Sequence, residues 1–285
     1  METGTESIFS HNLPVKEVIV NNTPIRYVQT GNGPSLVLLH GLTNNWYGWG
    51  AMIPYLEKDF TLIMPDLPGY GMSGDLEEYS LEIQGEYIVE FINQLPEFPA
   101  AVMGVSMGSL LTAEVAKHIG SKLRSVILVS PLIKKGRTTY LTKGMEYIMR
   151  ALNTTSYTTE LLKYVVGTRR MAYALSKHLN MYEFNKELVD EYGIEGKKQM
   201  RAKTYPEMSI SVSRYDLVHT LKDYPYQTLM IYGKHDRASR PNYAREILEA
   251  SNPNISCVEI DRGGHWVSVE QPEKVAKQIV KHLAS

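Results

Sequence analysis

Residues Gly104-Val105-Ser106-Met107-Gly108 follow a short apolar run, Ala100-Ala101-Val102-Met103. They precede Ser109-Leu110-Leu111-Thr112-Ala113-Glu114-Val115-Ala116-Lys117-His118, which reads as a helix. A strand that turns this abruptly into a helix leaves no room for side chains beside the turn, and Gly104 and Gly108 supply that room. The pattern is a G-x-S-x-G nucleophile elbow with Ser106 at its apex. An apex at the amino end of a helix also favours negative charge on the serine oxygen or on a reacting oxyanion. A glycine-rich turn beside a serine is often only a turn, so the rest of the chain has to supply a sheet and a base.

The sheet is supplied on both sides of the elbow. Unalternated apolar runs recur at Ser35–Leu39, Phe60–Met64, Ser125–Val129, Thr228–Tyr232 and Ile255–Ile260, as expected of strands covered on both faces. Helical patterns lie between most of them, over Ala51–Lys58, Tyr79–Leu95, Ser109–Ile119, Asn242–Ala250 and Pro272–Leu283. The last two begin with a proline near the first turn, Pro241 and Pro272. Upstream, extended runs from Val15 to Val20 and from Ile25 to Thr30 flank Asn21-Asn22-Thr23-Pro24, a hairpin signal. The alternation predicts an α/β fold with a doubly wound parallel sheet whose functional loops leave the carboxyl ends of the strands.

From Ile133 to about Tyr224 the alternation stops. No apolar strand run is present, but amphipathic patterns cover Met145–Leu152, Glu160–Val166, Met171–Leu179 and Lys186–Tyr192. This predicts a helical cap, residues 133–224, inserted into a core made of residues 1–132 and 225–285. The cap holds ten tyrosines and one phenylalanine, Phe184. Tyrosine, with an apolar body and a polar tip, suits a pocket wall, although packing or surface placement is the expectation for any single one.

Composition narrows the function classes. With 43% hydrophobic and 21% charged residues in 285, the chain reads as an ordinary globular protein with ample core. Its net charge of -1 gives no reason to expect nucleic acid or an anionic membrane as partner. One cysteine, Cys257, permits no internal disulfide and no Cys-rich metal site, and its place in an apolar run predicts a buried, inert thiol. Met1–Ser10 lack the basic start and long apolar run of a signal peptide. No stretch approaches the roughly 18 uninterrupted apolar residues of a membrane span. A soluble, cytoplasmic protein without stable membrane insertion is the expectation.

A serine hydroxyl is a poor nucleophile until a base takes its proton, and the base must itself be oriented. Two later strand-end loops carry such groups in the order acid, then histidine: Gly233-Lys234-His235-Asp236 and Asp261-Arg262-Gly263-Gly264-His265-Trp266. Asp236 would hold the tautomer of His265, and His265 would take the proton of Ser106. His235, beside Asp236, reads as a solvated neighbour. His11 lies before the sheet, His40 in its own strand-end loop, and His118, His178, His219 and His282 on apparent helices. The loop Ser130-Pro131-Leu132-Ile133 offers no competing carboxylate. Asp66 and Asp75, flanking Leu67-Pro68-Gly69-Tyr70-Gly71-Met72-Ser73, read as structural. An oxyanion would be held by the backbone amides of Met107 and of Leu42, with Gly41 allowing close approach.

The set His40-Gly41, Asp66-Leu-Pro-Gly-Tyr-Gly-Met-Ser73, Gly104-Val-Ser-Met-Gly108, Gly233-Lys-His-Asp236 and Gly263-Gly-His-Trp266 resembles the α/β-hydrolase superfamily. The resemblance spans nearly the whole chain apart from the cap. It implies a mostly parallel eight-stranded core, the triad Ser106/Asp236/His265 and a hydrolytic site beneath the cap that needs no cofactor or metal. Related haloalkane dehalogenases and epoxide hydrolases carry an aspartate at the position of Ser106, which sets both apart. The Ser-Met-Gly elbow, Asn44 or Asn45, and His265-Trp266 are similar to carbon–carbon hydrolases of aromatic ring cleavage, and equally to small-molecule carboxylesterases and monoacylglycerol lipases. Asn44 and Trp266 are therefore the substrate-binding candidates. Ser109 departs from the common Ser-x-Gly-Gly form. Arg169 and Arg170 read as solvated rather than as the cap arginine that ring-cleavage hydrolases use on an acidic substrate. A carboxylesterase for small or medium acyl esters is the first expectation. A carbon–carbon hydrolase of meta-cleavage type and a slow-turnover ligand receptor are the alternatives.

Overall fold

Two asparagines make the first turn. Asn21 and Asn22 both adopt left-handed backbone, φ 47° and 64°, as a two-residue hairpin that follows strand twist requires. They join β1 (Val15–Val20) to β2 (Thr23–Thr30), so Thr23 and Pro24 already pair with Val20 and Ile19 instead of belonging to the turn. The computed structural model describes residues 13–133, 140–239 and 252–284. The helix expected over Asn242–Ala250 with Pro241, the segment Met1–Ser10 and His11 lie outside those residues.

Past the hairpin, β2 runs antiparallel to β4 (Thr61–Pro65). The other strands, β3 (Ser35–Leu39), β5 (Ala101–Val105), β6 (Ser125–Val129), β7 (Thr228–Gly233) and β8 (Ile255–Ile260), continue the sheet in parallel. The order β1-β2-β4-β3-β5-β6-β7-β8 is the eight-stranded, mostly parallel sheet expected. Strands β3, β6 and β7 are buried along their whole length, which is why they show no polar alternation.

Side chains instead alternate between two apolar layers. Val37, Leu39, Val102, Leu128 and Met230 cluster with residues of α2 (Leu81–Asn93) and α3 (Met107–Ile119). On the other face Leu36, Leu38, Met103, Ile127 and Ile231 cluster with α1 (Ile53–Leu56) and the helix Pro272–Ala284. In that helix Val275, Ala276 and Ile279 form the buried stripe, each fully buried Val or Ile contributing roughly 1.5–3 kcal/mol. The expected helix over Ala51–Lys58 shrinks to the single turn α1, with Pro54 in it. Cys257 is half-buried, not buried, because β8 is the last strand of the described sheet and its middle is only partly covered.

Between β6 and β7 lies a run of helices. They are α4 (Tyr140–Leu152), α5 (Ser156–Gly167), α6 (Arg169–Leu175), a π-turn (Ser176–Asn180), α7 (Lys186–Tyr192), α8 (Glu195–Gln199), α9 (Thr204–Arg214) and α10 (Leu217–Lys222). Caps separate them: Thr155 and Thr158 form a reciprocal capping box, and Asn185 accepts from the amides of Glu187 and Leu188. The helix expected over Met171–Leu179 is split after Leu175. There the carbonyls of Lys177 and His178 accept from the Arg237 guanidinium, and that of Asn180 from Trp266 N, groups of the β7 and β8 loops. Of the segment's tyrosines, Tyr147, Tyr157 and Tyr164 are exposed, whereas Tyr192, Tyr215 and Tyr224 are buried. Among the described residues, no helix is long and apolar enough to cross a membrane.

Candidate active site

Ser106 sits between β5 and α3 with φ 55° and ψ -116°, a backbone conformation that costs energy for any residue with a Cβ. Its amide donates to Val129 O at 2.9 Å, holding the apex against the end of β6. The flanking glycines leave no room for more. A Cβ on Gly104 would lie 2.0 Å from Gly108 O, and one on Gly108 would lie 2.1 Å from Leu39 O. Ser109 has a use here: its hydroxyl lies 2.8 Å from both Gly104 O and Val129 O and ties the ends of β5 and β6 to the first turn of α3. Both clashes are with backbone, which no rotamer change relieves. Gly108→Ala is therefore expected to destabilise the fold by about 3 kcal/mol or more, measured by urea unfolding.

The loops after β7 and β8 bring the other two residues to the serine. His265 Nε2 is 2.9 Å from Ser106 Oγ, and His265 Nδ1 is 3.0 Å from Asp236 Oδ2. Asp236 is 6% exposed and its second oxygen accepts the amides of Ala238 and Ser239, both at 2.8 Å. Burial alone would raise the Asp236 pKa. The hydrogen bond and charge of His265, with the donors of Ser239, outweigh burial and hold it below the ordinary carboxylate range. The aspartate therefore stays ionised and acceptor-only, which favours the His265 tautomer with its proton on Nδ1 and a free lone pair on Nε2.

Ser106 and His265 open into a cavity of about 250 Å³. Leu42, Asn44 and Trp266 line it, as do Leu175, Leu179, Tyr192 and Lys197 from the inserted segment. Gly41 runs directly beside the serine; a Cβ there would be 3.7 Å from Ser106 Cβ. Met107 is the first residue of α3, where an amide N–H has no intrahelical acceptor. Asn44 reaches the wall, but its amide nitrogen donates to Tyr192 O at 3.1 Å and its oxygen accepts from Asn45 N at 3.0 Å. Asn45 is turned away to Gln199 Oε1 at 2.9 Å. Arg169 is not on the cavity wall; it pairs with Asp190 at 3.2 Å and is largely exposed.

A family model described as alpha/beta hydrolase fold matches residues 34–272. The chain belongs to that family. The hydrolase is 26% identical over 267 residues to monoacylglycerol lipase ABHD6 of Bos taurus, covering 90% of this chain and 77% of the relative. It is 23% identical over 300 residues to bifunctional epoxide hydrolase 2 of Rattus norvegicus, covering 91% of this chain and 53% of the relative. Among solved structures, a thermophilic esterase from Thermogutta terrifontis with malate bound superposes with a TM-score of 0.74 at 18% identity, covering 95% and 98% of the two chains.

Two residues of this α/β hydrolase that belong to no sequence motif, Ser239 and Glu270, support the site. Ser239 Oγ is 3.1 Å from His265 Nδ1 and donates to Ser130 O at 3.0 Å, giving the imidazole proton a second acceptor. Its spacing after Asp236, a side chain bonding the amides two and three residues on, is the one available signal. Glu270 accepts Gly264 N at 2.7 Å and Tyr182 N at 2.6 Å, fastening the histidine loop to the inserted segment. His235, as expected, is exposed, stacked on Tyr182 with ring centroids 4.4 Å apart.

Asp66 and His40 hold loops instead of reacting groups, and they titrate with opposite sign. Asp66 accepts Trp46 N at 2.9 Å and Met72 N at 2.8 Å; His40 Nε2 accepts Leu67 N at 3.1 Å. Burial pushes Asp66 up to about 6 against those two amides, and pulls His40 down to about 4 against its bond to Gly41 O. As pH falls from 6.5 to about 4, the unfolded chain protonates this histidine and the folded one resists, costing about 3 kcal/mol of stability. From about 6 to 3.8 the folded aspartate takes a proton that the unfolded chain does not yet hold, returning about 3 kcal/mol. The pair nearly cancels. Asp66→Asn removes the return, so its urea stability is expected to drop between about pH 6.5 and 4 relative to wild type. Parallel pH profiles for the two proteins would refute the assignment.

Proposed function

We propose that this α/β hydrolase is a serine carboxylesterase that cleaves small or medium acyl esters through an acyl-enzyme. The supporting observation is the hydrogen-bonded line from Asp236 through His265 to Ser106, 3.0 and 2.9 Å per link, ending at the cavity. As Ser106 Oγ adds to the ester carbonyl carbon, His265 Nε2 takes its proton. The amides of Leu42 and Met107 are assigned to the resulting oxyanion, and Asp236 to the imidazolium. The imidazolium then protonates the departing alkoxide, the alcohol leaves, and the acyl group stays on Ser106. Water, deprotonated by His265, adds to the acyl carbon; collapse releases the acid and restores the serine.

A hydroxyl at this apex, where epoxide hydrolases carry a carboxylate, argues against carrying over the activity in the name of the rat relative. Residues 133–224 act as the cap, with Leu175, Leu179 and Tyr192 setting how much acyl chain fits. A cavity of about 250 Å³ lies below the usual range of ligand pockets, roughly 300–1,000 Å³, hence the preference for short chains. The test is a p-nitrophenyl ester series from acetate to laurate, with a neutral fluorophosphonate as a label. Turnover that declines with chain length, and one label on Ser106, are expected. A folded protein that cleaves no ester would overturn the reading.

A further inference from the structure

Lys197 lies on α8 at the wall of the cavity that holds Ser106 and His265, and only 4% of its surface is exposed. Among the described residues its partners are the Gly193 carbonyl, which accepts from Nζ, and the Trp266 ring, 5.8 Å from Nζ to centroid. No described carboxylate pairs with it. Burial pulls its pKa down to about 8, the direction expected of a cation without a counter-charge.

As a piece of structure, the arrangement is incomplete. An ammonium carries three donors, and one carbonyl takes one of them. The ring contributes roughly 0.5–2 kcal/mol, whereas removing an unpaired cation from water costs several. A methionine would fill the same wall without that cost. The wall mixes apolar side chains, Leu175, Leu179, Trp266 and Val269, with neutral polar ones such as Thr43 and Asn180, and Lys197 is the one lysine or arginine on it among the described residues.

We propose that Lys197 is a specificity residue that receives an ionised carboxylate on the acyl part of the substrate, so that half-esters of short dicarboxylic acids are the preferred class. This rests on the esterase reading. One carboxylate neutralises one ammonium; a phosphate dianion would leave a charge unpaired on a wall with no second lysine or arginine among the described residues, so a carboxylate is the better match.

The test compares monomethyl glutarate with methyl 5-methylhexanoate, in which an isopropyl group replaces the carboxylate, by release of methanol. Wild type is expected to favour the half-ester in kcat/KM by at least about tenfold. In Lys197→Met that ratio is expected to fall on the order of 100-fold, mostly through KM, as loss of a charge-assisted hydrogen bond implies. Lys197→Arg should keep most of the preference. A wild-type preference for the neutral ester, or a ratio unchanged in Lys197→Met, would overturn the proposal. Thermal unfolding of each variant checks the fold, and if Lys197→Met does not fold the wild-type ratio alone decides. If wild type cleaves neither of these nor any p-nitrophenyl ester, the esterase reading fails. Whenever neither methyl ester is cleaved, carboxylate recognition is read from glutarate slowing fluorophosphonate labelling of Ser106 where 5-methylhexanol does not, and equal labelling rates would end it too.

Discussion

Replacing Ser106 with alanine is expected to lower ester turnover on the order of 10⁶-fold, the scale seen when a serine nucleophile is removed from a complete triad. The residual rate would come from binding and the oxyanion amides alone. Stability should change little, because alanine tolerates φ 55° no better than serine does, and the amide bond from residue 106 to Val129 O is kept. Three measurements check this together: the p-nitrophenyl ester rate, the mass shift with a fluorophosphonate and the urea midpoint. A variant that still turns over within a hundredfold of wild type would place the nucleophile elsewhere.

Asp236→Asn is expected to cost about 10⁴-fold in kcat with the geometry preserved. The reason is directional. One aspartate oxygen already accepts the amides of Ala238 and Ser239, so the asparagine carbonyl must take that side and its NH₂ must face His265 Nδ1. A donor facing Nδ1 favours the tautomer with the proton on Nε2, which then points a hydrogen, not a lone pair, at Ser106. Ser239 Oγ, 3.1 Å from Nδ1, offers a competing acceptor. Asp236→Ala, which lacks the misplaced donor, is thus expected to retain more activity than Asp236→Asn. The reverse order would show that charge on the imidazolium, rather than tautomer, dominates at this site.

What was legible in the sequence follows from how strongly each feature is imposed by burial. Strands covered on both faces can be built only from continuous apolar runs, so β3, β6 and β7 announce themselves, and the parallel topology then assigns the Asp236 and His265 loops to the sheet edge that carries Ser106. The cavity wall is different. In Glu195-Gly196-Lys197-Lys198-Gln199 two adjacent lysines part ways, and Lys198 is exposed and pairs with Glu195 at 3.2 Å. Only the packing of α8 beneath Trp266 turns Lys197 inward, and no local pattern encodes that. Asn44 was legible as a wall residue but not as one already bonded to Tyr192 O. The split after Leu175 is likewise set by donors distant in the chain, Arg237 and Trp266.

The bonds that fasten the inserted helices have a consequence for exchange between relatives. Asn44 and Asn45 from the loop after β3 hold Tyr192 and Gln199, Gly69 O after β4 accepts Arg201 N, and Glu270 and Trp266 beyond β8 hold Tyr182 and Asn180. With Arg237 after β7 holding the Lys177 and His178 carbonyls, the segment is knitted into four separate strand-end loops besides its two covalent joins. It is not a detachable module. A chimera that grafts another relative's helices between β6 and β7 would orphan the amides of Asn44, Asn45 and Trp266 and the Glu270 carboxylate, a few buried polar groups at about 1–3 kcal/mol each. The pocket is therefore easier to reshape by single substitutions on its wall than by transplanting the whole inserted segment.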